Sequence, residues 1–416
     1  MNTTTATRQV PAAASAGKPR LTRPGRAGLR LLIAAAAVAE IAIAAPTASA
    51  APVRTDHSTV QQVLDRAVAE GGVPGILTEI RDGRETWFGE AGVADTSTGR
   101  QRRPQDRFRI GSTTKTFTAT VMLQLAAERR LRLDDSVEKW LPGTVRGPGY
   151  EPEKITIRQL LNHTSGIFDY VNDDVMRARG AGTPFLEHRF DRYSPEEIVH
   201  IGVSHPPTFA PGTGWGYSNT PYFLAGMIIE RVTGRPLADA IAQRIARPLG
   251  LTGTYLPSGD DPLIRGPHGR HYSTLMTTTP DAGIYDVTEL NPSWGWAAGG
   301  VISTVGDLDR FFGALLGGRL LPPAQQQEMF TMVATEKWIP DTTYGLGVAS
   351  LKLPCGATVW GMGGAINGSW TYTFGTRNGT HMVSVNSNGD WNYPISAFTD
   401  VLKAEFCPGH SPTPGH

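Results

Sequence analysis

The sequence predicts an α/β (α+β) protein in which both ends of the chain build one antiparallel sheet, flanked by helices, with a mostly helical domain inserted between them. Residues 75–95 and 369–389 each have the pattern of two strands around a tight turn. Helical periodicity lies outside these hairpins, at residues 58–71 and 393–407. The long stretch between the hairpins is mainly helical. Strands at both ends and helices in the middle are expected when the two termini complete a single sheet.

Local signals support each element in order along the chain. The first hairpin turns at Asp82-Gly83 and the second at Asn378-Gly379, dipeptides that favour the backbone of tight turns between strands. The central helical segments are joined by loops rich in proline and glycine, and they lie at residues 114–131, 156–166, 194–203 and 219–234.

The change of pattern along the chain predicts its domains. These are a signal segment at residues 1–50, a discontinuous α/β domain at residues 51–111 and 295–407, a mostly α-helical domain at residues 112–294, and a disordered tail at residues 408–416. A cleft between two such domains is a natural place for a ligand.

The first 50 residues have the pattern of a secretory signal. Several basic residues precede an apolar run at residues 31–45, and small residues follow it, ending at Ala50. We expect cleavage near Ala50 and a secreted protein; an uncleaved N-terminal anchor is the alternative. The formal net charge is +1, and it becomes slightly negative once this basic segment is removed. Nothing therefore indicates nucleic acid as a partner. We expect a soluble monomer that is not held at a membrane.

The two cysteines, Cys355 and Cys407, suit the oxidising compartment that a secretory signal implies. Pairing in a disulfide is favoured, and two buried free thiols are the alternative. No HExxH or CxxC spacing is present, so no metal site is expected.

The stretch FRIGSTTKTFT raises the question of catalysis. Ser112 and Lys115 lie three residues apart at a predicted helix start, so both side chains project from one face of the helix. A serine hydroxyl becomes a nucleophile only when a base removes its proton, and a lysine can do so if its amine is desolvated and neutral. A helix start also supplies an unpaired backbone N–H for the developing oxyanion. The alternative is a capped surface helix with an exposed lysine.

A second polar motif, Tyr217-Ser218-Asn219, follows a glycine-rich loop and precedes a predicted helix. The tyrosine could relay protons for Ser112, and the asparagine amide could hold a substrate amide. The alternative is a turn that Asn219 closes as an N-cap.

Together these motifs make the chain resemble the penicillin-recognising serine hydrolases of peptidase family S12, which include DD-carboxypeptidases, class C β-lactamases, esterases and D-aminopeptidases. The resemblance runs from about residue 58 to residue 407 and includes RFRIGSTTKTF, LLNHTSGIFDY, FAPGTGWGYSN, AAGGVISTVGDLDRFF, YGLGV and both cysteines. It implies a β-lactamase/transpeptidase-like fold. It also implies Ser112 as the acylated nucleophile, Lys115 as its base, Tyr217 as the proton relay and Asn219 as a substrate-amide contact.

The resemblance also implies roles for further residues. His163 would be a structural signature residue. Trp294 and Trp296 would line the cleft, with core packing as the alternative. Ala365 would offer its backbone N–H as the second oxyanion donor, since that role needs no side chain.

The third family motif, usually Lys-Thr-Gly or His-Thr/Ser-Gly, is replaced by Met362-Gly363-Gly364. Gly364 is expected to keep the strand open to close approach by substrate. The arginine with which DD-carboxypeptidases hold the terminal carboxylate corresponds to Ala349, and Lys352 lies three positions further on. A desolvated carboxylate without a charged partner loses about 2–5 kcal/mol, which would remove any preference for a free C-terminus.

These departures predict a secreted serine acyl hydrolase that needs no cofactor or metal. Its substrates would be small peptides, amides or esters that contain D-amino acids, bound partly by Met362 and the tryptophans, and transfer to an amine is also open. The alternatives are a D-alanyl-D-alanine carboxypeptidase or transpeptidase, a β-lactamase or esterase, and a non-catalytic binder of peptidoglycan or β-lactams.

Overall fold

An antiparallel sheet of eight strands forms the centre of the described part of the chain, with the order β2-β1-β12-β11-β10-β9-β8-β7. The structure is a computed structural model that describes residues 56–277, 283–391 and 394–407. The expected signal segment 1–50, its cleavage near Ala50 and the expected tail 408–416 lie outside the described residues. In the described ranges no helix has the length and apolar character needed to cross a membrane.

The strands come from the two ends of the described chain, and two short pairs, β3 with β6 and β4 with β5, lie outside the main sheet. In chain order the strands are β1 (Gly75–Asp82), β2 (Glu85–Gly92), β3 (Phe108–Arg109), β4 (Tyr272–Ser273), β5 (Tyr285–Asp286), β6 (Ile302–Ser303), β7 (Val333–Ala334), β8 (Thr342–Tyr344), β9 (Ala349–Lys352), β10 (Thr358–Ile366), β11 (Ser369–Gly375) and β12 (His381–Ser387).

Most of the described helices lie between β3 and β6 in the sequence. The α-helices are α1 (Ser58–Ala69), α2 (Thr114–Ala127), α3 (Val137–Trp140), α4 (Ile157–Leu161), α5 (Asp174–Gly180), α6 (Pro184–His188), α7 (Pro195–Ser204), α8 (Thr220–Thr233), α9 (Leu237–Ile241), α10 (Arg247–Leu249), α11 (Trp296–Gly299), α12 (Val305–Leu316), α13 (Pro323–Met329) and α14 (Pro394–Phe406). Short 3₁₀ turns cover Gly111–Thr113 and Tyr170–Asn172, and a π turn covers Ala242–Ala246.

Helices cover both faces of the sheet, as two consecutive residues of β11 demonstrate. Tyr372 contacts Phe398 of α14, with ring centroids 5.3 Å apart. Thr373 hydrogen-bonds Ser384 of β12, whose hydroxyl donates to Asp309 of α12. Because successive side chains of a strand point to opposite faces, α14 and α12 lie on opposite sides of the sheet.

The helix that begins beside Ser112, α2, is buried on nearly all sides. It packs against α8, α11 and α13, and its side chains from Thr114 to Leu123 are buried. A helix enclosed in this way cannot be the capped surface helix that was the alternative for the Ser112 region. The N-terminus of α2 is therefore held between the sheet and the helices that lie between β3 and β6 in the sequence.

The predicted fold class is confirmed. Both hairpins have the expected turns, with Gly83 and Gly379 at φ 56° and 69°, backbone that glycine adopts without strain. The exact domain boundaries at residues 111/112 and 294/295 stay a prediction.

The predicted disulfide is present. Cys355, in the turn between β9 and β10, is bonded to Cys407 at the end of α14, with the two Cα atoms 5.8 Å apart. The bond therefore ties the C-terminal helix to the strand that passes behind the Ser112 turn.

Replacing both Cys355 and Cys407 with serine is expected to lower the free energy of unfolding by about 4 kcal/mol, because the bond closes a loop with a sequence separation of 52 residues. Denaturant unfolding followed by tryptophan fluorescence measures this. The single variant Cys355→Ser is the control for loss of a sulfur without a second substitution, and it should lose most of the same stability. A double variant as stable as the parent would contradict the expectation.

Candidate active site

Ser112 lies in the 3₁₀ turn Gly111–Thr113, which leads directly into α2. β10 passes so close behind this turn that a Cβ built on Gly364 would lie 1.9 Å from the Ile110 carbonyl oxygen and 2.8 Å from the Ser112 nitrogen. β9 pairs with β10 only at residues 358–361, so the later part of β10 faces the turn. A side chain at position 364 would therefore displace the serine turn, while Gly364 itself also lines a cavity beside Ser112.

Lys115 is fully buried one turn along α2 from Ser112. Its Nζ atom donates hydrogen bonds to three oxygens: Ser112 Oγ at 3.1 Å, Asn219 Oδ1 at 2.7 Å and the Ala298 carbonyl oxygen at 2.9 Å. Burial lowers the pKa of Lys115 to about 7, and the negative charge of Asp169 opposes that shift. An amine with this pKa is partly neutral at pH 7, and its three oxygen neighbours suit the ammonium that forms when it takes up a proton.

Tyr217 lies on the other side of the serine hydroxyl. Its phenol interacts with the Ser112 side chain, and its ring centroid lies 4.9 Å from Lys115 Nζ. Burial raises the pKa of Tyr217 well above its usual value, and the neighbouring Tyr344 adds to the shift. The phenol is therefore neutral near pH 7 and can both donate and accept a proton.

Asn219 occupies the N-cap position of α8, yet its side chain makes no capping hydrogen bond. Its Oδ1 accepts from Lys115 and its Nδ2 donates to Asp169, at 3.0 and 3.2 Å from the two carboxylate oxygens. The amide is used inside the cleft rather than to cap the helix. This observation removes the capping alternative for the Tyr217-Ser218-Asn219 motif.

Asp169 was missed by the sequence argument. Only 7% of its surface is exposed, and besides the Asn219 side chain it accepts the Asn219 backbone N–H at 3.0 Å. Burial raises the pKa of Asp169, while its hydrogen bonds from Asn219 and the charge of Lys115 oppose that shift. The stretch LLNHTSGIFDY contains this carboxylate, but no spacing rule places it beside a residue 50 positions away.

His163 supports the loop that carries Tyr217. Its backbone is in the left-handed region at φ 64°, its Nδ1 accepts the Ser218 N–H at 3.3 Å, and its ring lies 4.4 Å from that of Tyr217. Burial, reinforced by the charge of Lys115, lowers the pKa of His163 well below its usual value. A neutral, buried imidazole packed behind the tyrosine fits the structural role that the family resemblance implies.

A cavity of about 730 Å³ opens on one side of Ser112. Trp294 lines it, together with Asn219, Phe185 and Met276. Trp296 does not line it. Its indole instead packs against Phe223 and Gly226 of α8, in the core. The two tryptophans that the sequence could not separate therefore differ in role: one faces the cleft and the other fills the interior.

A smaller cavity of about 180 Å³ opens on the opposite side of Ser112. Met362 and Ala349 form part of its wall, each only 1% exposed. Trp338 lies parallel to Tyr217 at 5.6 Å and covers the same cavity; no sequence signal had pointed to it. Among the described residues that line this cavity there is no Arg, Lys or His.

Lys352 does not replace the missing cation. It is exposed, pairs with Thr358 at the far end of β9 and lines neither cavity. Ala365, in contrast, lines both cavities, as does Ser112. The serine hydroxyl and the Ala365 backbone thus lie where the two cavities meet, which is where a scissile bond would have to lie.

No group of three or more His, Cys, Asp or Glu side chains gathers into a possible metal site in the ranges that the structure describes. The polar groups around Ser112 are an amine, a phenol, an amide and one carboxylate already hydrogen-bonded to the amide. This set is suited to proton transfer rather than to metal coordination.

Comparison with known proteins agrees with this arrangement. Residues 60–403 match the Beta-lactamase family. The chain belongs to the β-lactamase family of serine hydrolases. Its fold is accordingly the β-lactamase/transpeptidase-like α/β fold that the resemblance implied.

Two solved structures are similar over most of the chain. A D-stereospecific amidohydrolase from Streptomyces sp. is 48% identical, with a TM-score of 0.78, covering 85% of this chain and 99% of that one. The D-amino acid amidase from Ochrobactrum anthropi SV3, complexed with L-phenylalanine amide, is 28% identical, with a TM-score of 0.72 and coverage of 84% and 97%.

Curated relatives include several kinds of protein. Esterase EstB from Burkholderia gladioli is 34% identical over 215 residues, which are 50% of this chain and 53% of the esterase. Penicillin-binding protein 4 from Amycolatopsis lactamdurans is 28% identical over 359 residues, covering 84% and 89%. The chain spans only about half the length of the first of these relatives, so family membership does not by itself define its activity.

Replacing Gly364 with alanine is expected to lower kcat/KM by about 100-fold while the protein stays folded, because the new Cβ would push the backbone at Ile110 and Ser112 out of position. Kinetics on an activated ester, with thermal unfolding in parallel, measure the effect. Gly259→Ala is the matched control, since a Cβ there meets only Ser293 Cβ, at 4.0 Å. Normal activity of Gly364→Ala would contradict the close packing of β10 on the serine turn.

Proposed function

We propose that the protein is a serine acyl hydrolase that works through an acyl-enzyme on Ser112 and cleaves amides, esters or peptides containing D-amino acids. The observation that carries the proposal is the buried Lys115 amine, 3.1 Å from the Ser112 hydroxyl and hydrogen-bonded to the Asn219 amide. The similar D-stereospecific amidohydrolase and D-amino acid amidase support the stereochemical part.

Acylation would begin when neutral Lys115 takes the proton of Ser112 and the freed Oγ attacks the substrate carbonyl carbon. The backbone N–H groups of Ser112 and Ala365 would stabilise the oxyanion that forms. Tyr217 would then give its proton to the departing nitrogen or oxygen and regain one from Lys115, which restores the neutral amine. Water, or an amine in aminolysis, would attack the acyl-enzyme by the reverse proton path.

The position of Tyr217 supports different roles for the two cavities. A general acid has to lie within hydrogen-bond reach of the leaving atom, so the leaving group would occupy the small cavity beside Tyr217 and Trp338. That cavity has no cationic lining residue among those described, and its Ala349 and Met362 walls are apolar. A neutral leaving group, such as ammonia, an alcohol or an internal amine, is therefore favoured over one that carries a carboxylate.

The acyl group would occupy the larger cavity. Its size is within the range of ordinary ligand sites, and Phe185 and Trp294 give part of its wall an apolar character, while three arginines, Arg177, Arg179 and Arg189, also line it. An aromatic or aliphatic acyl side chain can lose its hydration there at little cost. This supports aromatic D-amino-acid derivatives as substrates.

A DD-carboxypeptidase is the second candidate, because the similarity to penicillin-binding protein 4 covers most of both chains. This function would require the terminal carboxylate of the substrate to enter the small cavity, where none of the described lining residues is a cation. The relative rates on an aromatic D-amino-acid ester and an acyl-D-Ala-D-Ala tripeptide therefore separate the two functions.

Export is part of the same proposal. The basic and apolar pattern of residues 1–50 supports it, and so does the Cys355–Cys407 bond, which suits an oxidising compartment. The N-terminal residue of protein recovered from the culture medium of the native host tests it, with a mature chain that begins near residue 51 as the expected result.

Ser112→Ala and Lys115→Ala are each expected to lower kcat on a D-aromatic ester at least 1,000-fold, because nucleophile and base act as one unit. The parent enzyme should cleave this ester faster than the L-ester and faster than an acyl-D-Ala-D-Ala tripeptide. Mass spectrometry detects the acyl-enzyme on Ser112. A chromogenic cephalosporin tests for β-lactamase activity. Lys154→Ala, which removes an exposed ion pair with Glu151, is the matched lysine control and should be fully active. More than about a tenth of the activity remaining in Lys115→Ala would contradict its role as base, and faster cleavage of the tripeptide would favour the carboxypeptidase.

The rate should rise with pH through neutrality, since the reactive form of Lys115 is the neutral amine and burial lowers its pKa to about 7. Below this pKa, kcat/KM is expected to fall about tenfold per pH unit, and above it to level off. His163 and Tyr217 should not contribute, because their pKa values are shifted away from neutrality, downward and upward. Profiles from pH 5 to 9 on esters with a free and with an acylated α-nitrogen separate enzyme titration from substrate titration. A rate independent of pH across this range would be incompatible with a lysine base.

A further inference from the structure

Asp169 is the carboxylate nearest the reaction centre whose purpose the proposed mechanism leaves open. It sits just before the 3₁₀ turn Tyr170–Asn172 and is almost fully buried. A carboxylate inside a protein is costly unless hydrogen bonds and an opposite charge compensate it. Here the compensation comes from Asn219 and, through it, from the Lys115 amine.

The contacts of Asp169 fix which way the Asn219 amide points. Its carboxylate accepts from the backbone N–H of Asn219 at 3.0 Å and from Nδ2 at 3.0 and 3.2 Å. An ionised carboxylate can only accept hydrogen bonds, so it holds the NH₂ group of the amide toward itself. The amide oxygen must then face the opposite way, where it lies 2.7 Å from Lys115 Nζ.

Capping of the 3₁₀ turn does not account for this arrangement. The capping contact of Asp169, to the Val171 N–H, measures 3.5 Å, at the limit of a hydrogen bond. The contacts to Asn219 are shorter and more numerous. Hydrogen bonding to Asn219 is therefore the main interaction of the Asp169 carboxylate, and capping of the 3₁₀ turn is secondary.

The same contacts connect opposite charges. Lys115, Asn219 and Asp169 form a chain in which the ammonium donates to the amide oxygen and the amide NH₂ donates to the carboxylate. When Lys115 takes the proton of Ser112, a positive charge develops on a fully buried amine. A negative charge at the other end of the chain stabilises that charge, and hydrogen bonds in such a chain polarise one another.

The other titratable groups around Lys115 and Asp169 each keep a single protonation state near pH 7. Tyr217 and Tyr222 face Lys115, with ring centroids 4.9 and 5.5 Å from Nζ, and Tyr170 follows Asp169 in sequence. Burial raises the pKa values of all three phenols. His163, behind Tyr217, is held neutral because burial lowers its pKa. Asp169 and Lys115 are therefore the two groups whose charges matter to each other.

We propose that Asp169 is a positioning residue that acts through Asn219: it orients the amide oxygen toward Lys115 and supplies the negative charge that balances the ammonium formed during acylation. This inference rests on the proposed function, because it gives Asp169 a part in the same proton transfer. The carboxylate does not touch the reacting atoms and exchanges no proton with substrate.

Two substitutions separate orientation from charge. Asp169→Asn keeps an oxygen that can accept from Asn219 but removes the charge. Without that charge the ammonium form of Lys115 is less stable, so the acid limb of the kcat/KM profile should move down by about one pH unit, with a fall of about tenfold in maximal kcat. Asp169→Ala removes the acceptor as well and should lower kcat about 100-fold or more, since the amide is then free to turn.

If Asp169 had only a structural role, Asp169→Asn would lower the free energy of unfolding but would leave the acid limb of the kcat/KM profile where it is in the parent. Asp307→Asn is the matched control: Asp307 is also buried and likewise accepts a backbone N–H and a side-chain group across the sequence, from Gly253 and Thr254, both at 2.8 Å, and its ion pair is with Arg310 of α12, which lines neither cavity. Its profile should coincide with that of the parent. An acid limb of Asp169→Asn that stays in place while the protein is folded would overturn the charge part of the proposal.

Coupling to Asn219 tests the positioning part. If Asp169 holds the amide in place, Asp169→Ala in an Asn219→Ala background should cost only about the tenfold that loss of the charge costs in Asp169→Asn. A further loss of about 100-fold in that background would overturn the positioning part. Asp169→Leu, which also lacks an acceptor but fills more of the space, replaces Asp169→Ala in the cycle if that variant does not fold.

Labelling of Ser112 by a fluorescent acylating probe distinguishes the two levels of failure. If the parent is not labelled, or Ser112→Ala is as active as the parent, the proposed function fails. If labelling and its loss in Ser112→Ala occur as expected but neither the limb shift nor the coupling is found, only the inference on Asp169 fails.

Discussion

The burial of one amine determines what the rest of the site does. Lys115 has no contact with solvent, and its Nζ is surrounded by a hydroxyl, an amide oxygen and a backbone carbonyl. Desolvation favours the neutral form, while these oxygens and Asp169 keep the charged form accessible. The balance leaves an amine that is partly neutral near pH 7, as its proposed role as base requires. It depends on α2 being enclosed: α8, α11 and α13 pack around the helix, and β10 and β11 contact the 3₁₀ turn that leads into it.

The close packing of β10 on the Ser112 turn explains why loss of the third family motif need not abolish acyl transfer. That motif lies on β10, whose contribution at Ser112 is backbone: the absence of a side chain at Gly364 and the position of the Ala365 N–H. The one side chain of the motif, that of Met362, lines the small cavity instead, where it and Ala349 of β9 make the wall apolar. In the proposed mechanism, acyl transfer therefore depends on backbone atoms of β10, and the choice of leaving group depends on side chains of β9 and β10. Substitution of the side chains can change specificity while the proton-transfer groups stay in place.

Much of the fold was predictable because its signals are local. Turn dipeptides defined both hairpins, and apolar periodicity defined α1, α2, α8 and α14, with bounds close to those observed. The serine and lysine were predictable for the same reason, since a helix brings residues three apart onto one face. Asn219 was more difficult, because its position before α8 fits an N-cap equally well. Only its contacts with Lys115 and Asp169 decide between the two uses.

By itself, the sequence determined the fold class, the serine-lysine pair, the tyrosine-asparagine motif and the absence of a cation at position 349. Tertiary structure alone decided that Asp169 orients toward Asn219, that Trp294 faces the cleft while Trp296 fills the core, that Trp338 covers Tyr217, and that Lys352 points away from both cavities. The physical reason is the range of the interactions. Helix and turn propensities act over a few residues, whereas each of these contacts joins residues far apart in sequence and exists only once the sheet and helices have packed.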